Sequence, residues 1–403
     1  MSKLLSERTI ALVKATVPAL EAHGLDIVNE MYGRMFQNPE IRDLFNQSHH
    51  GDSGSQPRAL TGAILAYANN IDNLGALAPA VERIAQKHVG LQILPEHYPH
   101  VGDALLGAIK AVLGEAATDE ILAAWGEAYW FLAHILIARE ERVYGEQNAA
   151  AGGWNGWREF RVERVIRESS VINSFVLRPV DGQSVMDYKA GQYLTFWLET
   201  PGHPPLKRNY SISAAANGET YRISVKREEL GLASSWLHDH AVVGTILKVA
   251  PPAGEFFLAD HPERPVVLLS GGVGLTPLVA MLETIAARHP ALPTYYVHGT
   301  HDRETHAMRD HVRSLAAQKA TIQVADFHQT PLPGEVEGQD YDHPGLITEE
   351  WLIANTPVGE ADYYICGPRP FLRAAVAALS LAGVASGRIH YEFFGPADEL
   401  LAA

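Results

Sequence analysis

The sequence predicts three folded modules in series: an all-α bundle, a compact antiparallel β-barrel, and an α/β domain on a parallel, doubly wound sheet. Three observations carry that prediction. From Ser6 to about Tyr144, apolar residues recur at helical spacing with almost no strand-like alternation. After Ala149-Ala150-Ala151-Gly152-Gly153 the period switches to two, in short runs broken by Gly and Pro. From Pro265 onward, continuous apolar runs alternate with helical patterns. At 403 residues the chain can hold two or three such domains, each with its own core. The shifts place boundaries at 1–146, a linker at 147–153, then 154–262 and 263–403.

In the first third, Ser6 followed by Thr9-Ile10 starts a helix. A second apolar-periodic segment runs from Leu25 through Phe36 and stops at Asn38-Pro39, where proline prevents continuation. Leu44-Phe45-Asn46 follows, and the polar stretch Gln47 to Ser55 reads as loop. Gln56-Pro57-Arg58-Ala59-Leu60 opens another helix, with proline in a tolerated first-turn position. Later helices cover roughly Leu77–Gly90, Pro99–Leu113 and Asp119–Tyr144. In the first of these, Val81, Ile84, Ala85, His88 and Leu91 share one face, which sets His88 in an apolar wall. Taken singly, His88 reads as a satisfied core histidine, Tyr32 as a core aromatic, Gln56 as a first-turn cap, and Glu140 as a solvated partner of Arg139 or Arg142.

Taken together, the segment resembles a bacterial globin. The resemblance is carried by Tyr32-Gly33-Arg34-Met35-Phe36, Phe45, Gln56, Ala85-Gln86-Lys87-His88, Tyr98 and Arg139-Glu140. It implies His88 as the proximal ligand of haem b, Phe45 packed on the porphyrin, and Tyr32 with Gln56 on the distal side. A phenol O–H and an amide N–H can each donate to dioxygen on iron. It also implies a relay of Tyr98 and Glu140 behind His88. A carboxylate there raises imidazole basicity, a push that oxygen activation uses and oxygen storage does not need. Lys87 reads as a surface neighbour, at a position that in the family bears on haem potential.

In the middle third, Trp154 and Trp157 follow the Ala/Gly boundary and can pin it to the next module. Arg161–Ile166 and Ser174–Arg178 read as strands, with Asp181-Gly182 a turn signal. Many short strands with Gly/Pro turns suggest the barrel. Within it, Arg208-Asn209-Tyr210-Ser211 matches the Arg-x-Tyr-Ser box of the ferredoxin-reductase family. Alternation puts Arg208 and Tyr210 on one face and Ser211 on the other. The resemblance implies an FAD site, where an aromatic ring packs on the isoalloxazine and a guanidinium clamps phosphate. Gly191-Gln192-Tyr193 resembles the family's Pro-Gly-Gln-Tyr segment, with Ala190 in place of proline. Ala233-Ser234-Ser235-Trp236-Leu237 fits a phosphate-binding helix, with Ser234 and Ser235 in its first turn; the preceding Glu228–Leu232 loop has fewer glycines than many relatives.

In the last third, Pro265–Ser270 is a strand buried on both faces, running into Gly271-Gly272-Val273-Gly274-Leu275-Thr276-Pro277 and a helix over Leu278–Ala287. Free N–H groups at such a helix start can meet a pyrophosphate. The turn departs from G-x-G-x-x-G, because Pro277 stands at the third glycine, but it matches the Gly-Gly-x-Gly-x-Thr-Pro turn of ferredoxin-reductase-like enzymes. Further strands are Thr294–Gly299, Thr321–Phe327 and Asp362–Cys366. Cys366-Gly367-Pro368 ends the last of these at the ligand-binding edge, where the resemblance has it face a nicotinamide. Cys366 reads either as a reactive thiol or as a small buried strand-end residue. The terminal Ile389-His390-Tyr391-Glu392-Phe393-Phe394-Gly395-Pro396 resembles the family's flavin-edge segment; without that likeness, Glu392 is an edge-strand charge. His49, His50, His301 and His306 read as solvated loop residues.

Composition narrows the function classes. Lys plus Arg number 32 against 47 Asp plus Glu, a net charge of −15, which disfavours nucleic acid or an anionic membrane as partner. No uncharged apolar run approaches the roughly 20 residues that span a bilayer, and the N-terminal stretch lacks a secretory apolar core. A single cysteine excludes an internal disulfide, a Cys-ligated zinc and a Cys-ligated iron–sulfur cluster. The chain reads as cytoplasmic.

All three modules resemble, in order, those of the flavohaemoglobins. The implied activity is nitric oxide dioxygenase: electrons pass from NAD(P)H through FAD to haem, and nitric oxide with dioxygen becomes nitrate. FAD is the physical reason for the fusion, since it accepts a hydride and releases single electrons. The small-molecule partners are nitric oxide, dioxygen and NADH or NADPH, with a lipid in the distal haem pocket as a further occupant, and the chain is expected to be a monomer. Two rival readings stay open: an oxygen- or redox-sensing haem protein, and a flavohaem reductase of alkyl hydroperoxides and quinones.

Overall fold

The computed structural model describes residues 5–45 and 55–395. These divide into two compact units, one comprising the chain through Ala149 with the stretch Pro201–Lys207, the other Ala150–Thr200 and Arg208–Gly395. The first unit is helical: α1 (Glu7–Ala15), α2 (Val17–Met35), a short α3 (Pro39–Arg42), α4 (Ser55–Asn69), α5 (Ala78–Leu91), α6 (Tyr98–Leu113) and α7 (Asp119–Ala149). Ser6 caps α1, its hydroxyl accepting from the Thr9 N–H at 3.0 Å. Helix α2 starts eight residues before Leu25, with Pro18 in its first turn, so the apolar period seen from Leu25 is only its second half. Pro39 ends α2 as expected and then opens α3, where Asn38 caps the Glu40 N–H. Ser55, read as loop, is already helical, and α7 continues past Tyr144 to Ala149. Helix α7 is long and apolar enough to cross a membrane by length and composition, and it packs against α1, α5 and α6. The core between α2, α4, α6 and α7 includes Ile27, Met31, Tyr67, Ile109 and Trp125.

The second unit begins with six strands, β1 (Arg158–Arg167), β2 (Ile172–Pro179), β3 (Tyr193–Leu198), β4 (Leu206–Ser211), β5 (Tyr221–Lys226) and, after helix α8 (Leu232–His240), β6 (Ile246–Val249). Their order is β4-β3-β6-β1-β2-β5, and the ladders of β1, β2, β3, β5 and β6 are antiparallel. An antiparallel bridge from Ile212 to Ile223, with Ser213 N–H donating to Arg222 O, joins the end of β4 to β5 and closes the barrel. The rest is β7 (Val266–Gly271), α9 (Leu275–Arg288), β8 (Thr294–Thr300), α10 (Arg309–Gln318), β9 (Ile322–His328), β10 (His343–Pro344), α11 (Glu349–Asn355), β11 (Asp362–Cys366), α12 (Arg369–Leu381) and β12 (Ile389–Glu392). This sheet is parallel, in the order β10-β9-β8-β7-β11-β12. The chain therefore leaves β7 to one side and later returns to β11 on the other, which makes β7/β11 the switch point where open α/β sheets bind ligands. Glu283 on α9 fastens sheet to barrel: it accepts from Arg222 and from the Ala215 N–H, each at 2.7 Å, and pairs with His311 at 2.7 Å.

Candidate functional site

In the helical unit the site is built on α5 and α7. Periodicity puts His88 on the inner face of α5, and α7 runs alongside, bringing Glu140 to it across 52 residues of sequence. His88 Nδ1 lies 2.7 Å from Glu140 Oε1 and 3.1 Å from Tyr98 Oη, and the Tyr98 hydroxyl donates to the same carboxylate oxygen at 2.7 Å. Glu140 is 2% exposed and so is no surface partner of Arg139, which instead clasps Glu82 through Nε and Nη2. Burial, then the Glu140 charge, push the Tyr98 phenol far above its ordinary range, so it stays a donor. A neutral His88 that donates from Nδ1 to a carboxylate leaves Nε2 as its lone-pair nitrogen, the arrangement of a metal-bound imidazole with a carboxylate behind it. Among the described residues no cluster of three or more His, Cys, Asp or Glu could hold a metal ion. A single-histidine donor set fits haem iron, whose remaining nitrogen ligands the porphyrin would supply.

A second cluster in the helical unit is aromatic. Tyr32, Phe36 and Phe45 form a triangle with ring centroids 5.3–5.7 Å apart, and Tyr32 is 8% exposed. Burial pushes the Tyr32 phenol up to about 12, keeping it protonated. The Gln56 Oε1 atom is buried without a hydrogen-bond partner among the described residues. Lys87 is exposed on the outer face of α5.

In the barrel, β4 follows the predicted alternation only in part: Lys207 and Ser211 are buried and Arg208 and Tyr210 half-buried, but Asn209, on the Lys207 and Ser211 face, is exposed. Tyr210 meets Phe196 edge-on at 5.7 Å, and Asn209 Oδ1 accepts from the Thr195 hydroxyl at 2.9 Å. Desolvation weakens the hold of Arg208 on its proton, a cost that an anionic phosphate would offset. At the start of α8, Ser234 Oγ accepts from the Glu228 N–H and reaches Gly231 O, and Ser235 Oγ lies 3.5 Å from Glu228 O. These hydroxyls stiffen the turn, leaving the first-turn N–H groups as the anion donors. Tyr193 is buried, and its phenol is pushed up by burial and by the charges of Glu255 and Glu392.

At the switch point, the glycine turn after β7 packs directly on the turn after β11. A Cβ on Gly274 would stand 2.2 Å from Cys366 O, and one on Gly367 would stand 3.0 Å from the Gly271 N. Gly272, at φ +52°, has nothing within 4 Å on its Cβ side, which leaves room for a group above the turn. Helix α9 starts at Leu275, three residues before its apolar period, so Thr276 and Pro277 lie in its first turn. Val273 is half-buried, and Pro368 is exposed at the crevice. The Cys366 thiol is fully buried, and desolvation followed by the Glu392 charge push it well above its ordinary range, so it is the inert strand-end residue and not a reactive thiolate. Glu392 pairs with Cys366 in the β11/β12 register, and its charge also acts on Tyr193, so barrel and sheet converge there. Phe393 and Gly395 are half-buried and Phe394 is exposed; Pro396, His49 and His50 lie outside the described residues.

One expectation is overturned: His306 is not solvated. It is 7% exposed and pairs with His328, whereas His301 is exposed as expected. The polar neighbours Arg303, Glu304 and Thr305 hide the burial in the sequence. A usable signal was His298, a polar residue in the buried run Tyr296-Val297-His298, which demanded a partner.

Comparison with known proteins agrees with this architecture. Residues 29–136 match the globin family model and residues 268–377 the oxidoreductase NAD-binding domain model. The chain is 54% identical over 403 residues to a flavohemoprotein of Xylella fastidiosa, with all of both chains covered. It is 46% identical to a flavohemoprotein of Pseudomonas aeruginosa, covering 98% of this chain and all of that one. Among solved structures, a flavohemoglobin of Malassezia yamatoensis with bound FAD and heme superposes at a TM-score of 0.86, with 27% identity, 97% of this chain and all of that one covered. The FAD/NAD-binding domain of a nitric oxide dioxygenase from Vibrio cholerae matches 59% of this chain and 99% of its own at 36% identity and a TM-score of 0.54. On this full-length identity, joined to a helical unit with a carboxylate-backed histidine and a barrel-plus-sheet unit with its glycine turn at the switch point, the chain belongs to the flavohemoprotein family.

Proposed function

We propose that this NAD(P)H-dependent oxidoreductase is a nitric oxide dioxygenase, acting in the cytoplasm as a monomer on small molecules. Per NAD(P)H, two nitric oxide and two dioxygen would give two nitrate, NAD(P)⁺ and one proton. Bound haem would supply a redox-active iron for dioxygen, and bound FAD the conversion of a hydride into single electrons. The observation that carries the reading is the His88–Glu140–Tyr98 set, because a ligand backed by a buried carboxylate serves oxygen activation more than reversible storage.

The chain's own residues have separable tasks. His88 would hold iron through Nε2, while Glu140 keeps the Nδ1 proton and Tyr98 orients that carboxylate. Tyr32, protonated throughout the physiological range, would donate to a distal ligand, and the Gln56 amide N–H would be a second donor there. Phe45 and Phe36 would pack on the porphyrin and exclude water. Arg208, Asn209, Tyr210, Ser211 and Tyr193 would seat FAD with the first-turn N–H groups around Ser234 and Ser235. The turn Gly271–Pro277 would take the pyrophosphate of NAD(P)H, with Cys366, Gly367, Pro368 and the Glu392–Gly395 segment toward the nicotinamide and flavin edge. The module boundaries would fall near 146, 153 and 262.

The test is nitrate formation by the purified protein given NADH, dioxygen and nitric oxide, with haem and FAD quantified by absorbance. Catalytic nitrate at two per NADH supports the reading. Both cofactors bound with no rapid nitric oxide consumption would overturn it in favour of a sensor or a hydroperoxide and quinone reductase.

A further inference from the structure

A column of buried histidines in the parallel-sheet domain belongs to none of the sites above. His298 on β8, His306 in the β8–α10 loop and His328 at the end of β9 are 1%, 7% and 0% exposed. The column begins at Ser270, the residue before the glycine turn, whose hydroxyl lies 2.8 Å from His298 Nδ1. The His298 and His306 rings are 5.0 Å apart between centroids. His306 Nδ1 is 3.1 Å from His328 Nε2, and His328 Nδ1 is 2.5 Å from Glu335 Oε2 in the loop after β9. Asp326 faces His306 Nε2 at 3.6 Å and is itself held by Arg313 and approached by Arg309. In the same loop Met308 takes a left-handed backbone, φ +57°, while buried, a conformation kept only where its surroundings dictate it.

Burying three imidazoles with two carboxylates is costly, and apolar side chains would fill the space more cheaply. What the polar column adds is direction. The Ser270–His298, His306–His328 and His328–Glu335 links fix donor–acceptor distances, while His298 and His306 meet ring to ring, the buried His298 Nε2 having no hydrogen-bond partner among the described residues. Together they tie the β7 strand end, the β8–α10 loop and the loop after β9. All three lie at the carboxyl edge of the sheet, on the β8 side of the switch point. The other side carries Cys366 and Glu392, the latter acting electrostatically on Tyr193 of the barrel. A dinucleotide whose pyrophosphate sits on the glycine turn, with its nicotinamide toward Glu392, must lay its adenosine over the ends of β8 and β9.

We propose that Ser270, His298, His306, His328 and Glu335 are positioning residues for the adenosine half of the nicotinamide nucleotide, setting its affinity and not the rate of hydride delivery. The proposal rests on the reading of this crevice as the NAD(P)H site. It needs neither haem nor nitric oxide, so it can be tested apart from the dioxygenase activity.

The experiment is anaerobic, rapid-mixing reduction of FAD by NADH in the full-length holoprotein, with ADP-ribose as a competitor that lacks the nicotinamide. His298→Phe keeps ring volume and removes the link to Ser270; His298→Asn restores an amide within reach of it; Ser270→Ala removes the same link with minimal change of volume. We expect His298→Phe and Ser270→Ala to raise the half-saturating NADH and the ADP-ribose inhibition constant together, by about tenfold for a lost buried hydrogen bond. The limiting rate at saturating NADH should stay within about twofold of wild type, and His298→Asn should recover most of the affinity. Equal half-saturation in wild type and Ser270→Ala overturns the proposal. So does an equal rise in His298→Phe and His298→Asn, which would reduce the column to packing, or a fall in limiting rate at unchanged half-saturation. A wild-type flavin that NADH fails to reduce would instead sink the reading of the crevice, and this proposal with it.

Discussion

On the proposed reading, Glu140 would govern how strongly the imidazole of His88 behaves as an electron donor. Its carboxylate is buried, and one oxygen takes both the His88 and the Tyr98 contacts, so the charge has no water to dilute it. Glu140→Gln keeps an oxygen for Tyr98 and removes the charge. Haem should remain bound, the haem potential should rise, and nitric oxide turnover should fall about 10- to 100-fold, as for other residues behind a metal-bound histidine. Unchanged potential and turnover would leave Glu140 a packing residue. If Tyr32 donates to the bound gas as proposed, Tyr32→Phe should speed dioxygen dissociation by about 2- to 12-fold, the worth of a net hydrogen bond of about 0.5–1.5 kcal/mol. Because the phenol loses its proton only near 12, the wild-type off-rate should stay flat from pH 7 to about pH 10. A rate that climbs within that range would mean a phenolate, and hence a less buried Tyr32.

At the scale of elements, the same burial that makes the histidine column directional makes the domain sensitive to acid. Burial, followed by neighbouring charges that include each other's imidazole or that of His328, lowers His298 and His306 from 6.5 to about 3. Unfolding then takes up protons below pH 6.5 that the folded chain refuses. The contribution of the pair is complete above pH 6.5 and drains as pH falls toward 3, by up to about 1.4 kcal/mol per pH unit for each histidine. Asp326, Arg309, Arg313 and His328 face the pair and set how evenly the two share that slope. The urea midpoint of the flavin-containing unit should therefore drop steeply between pH 6.5 and 5, and a flat midpoint would show the imidazoles already protonated in the fold. Of this the sequence offers only His298 inside an apolar run, because His298, His306 and His328 meet only when β8, β9 and their loops pack. By contrast, α5 was legible from period alone, and the β7–turn–α9 unit from its glycines, since both are local. The meeting of His88 with Glu140 was readable only through family likeness, because α5 and α7 must pair first. Arg222–Glu283 carried no local signal at all, although it fastens barrel to sheet.

For the whole molecule, the dioxygenase reading is a claim about electron accounting, and two substitutions at opposite ends of the path can audit it. His88→Ala removes the imidazole backed by Glu140 and leaves the residues of the barrel and sheet unchanged, so haem absorbance should vanish while FAD stays bound. NADH oxidation with ferricyanide as acceptor should then continue at near wild-type rate, and nitric oxide consumption should stop. Gly274→Ala places a Cβ 2.2 Å from Cys366 O, where only backbone can yield, so the two turns at the switch point must part. Haem and FAD should remain, but reduction by NADH should fall by at least about tenfold, taking ferricyanide reduction and nitric oxide consumption down together. The contrast between the variants is the argument: loss of one activity in the first and of both in the second is what a serial path from nucleotide to flavin to haem requires. If His88→Ala kept its haem, the ligand would lie elsewhere. If Gly274→Ala kept nitric oxide turnover while losing ferricyanide reduction, electrons would be reaching haem by a route that bypasses the crevice, and the order of the modules would not be the order of the reaction.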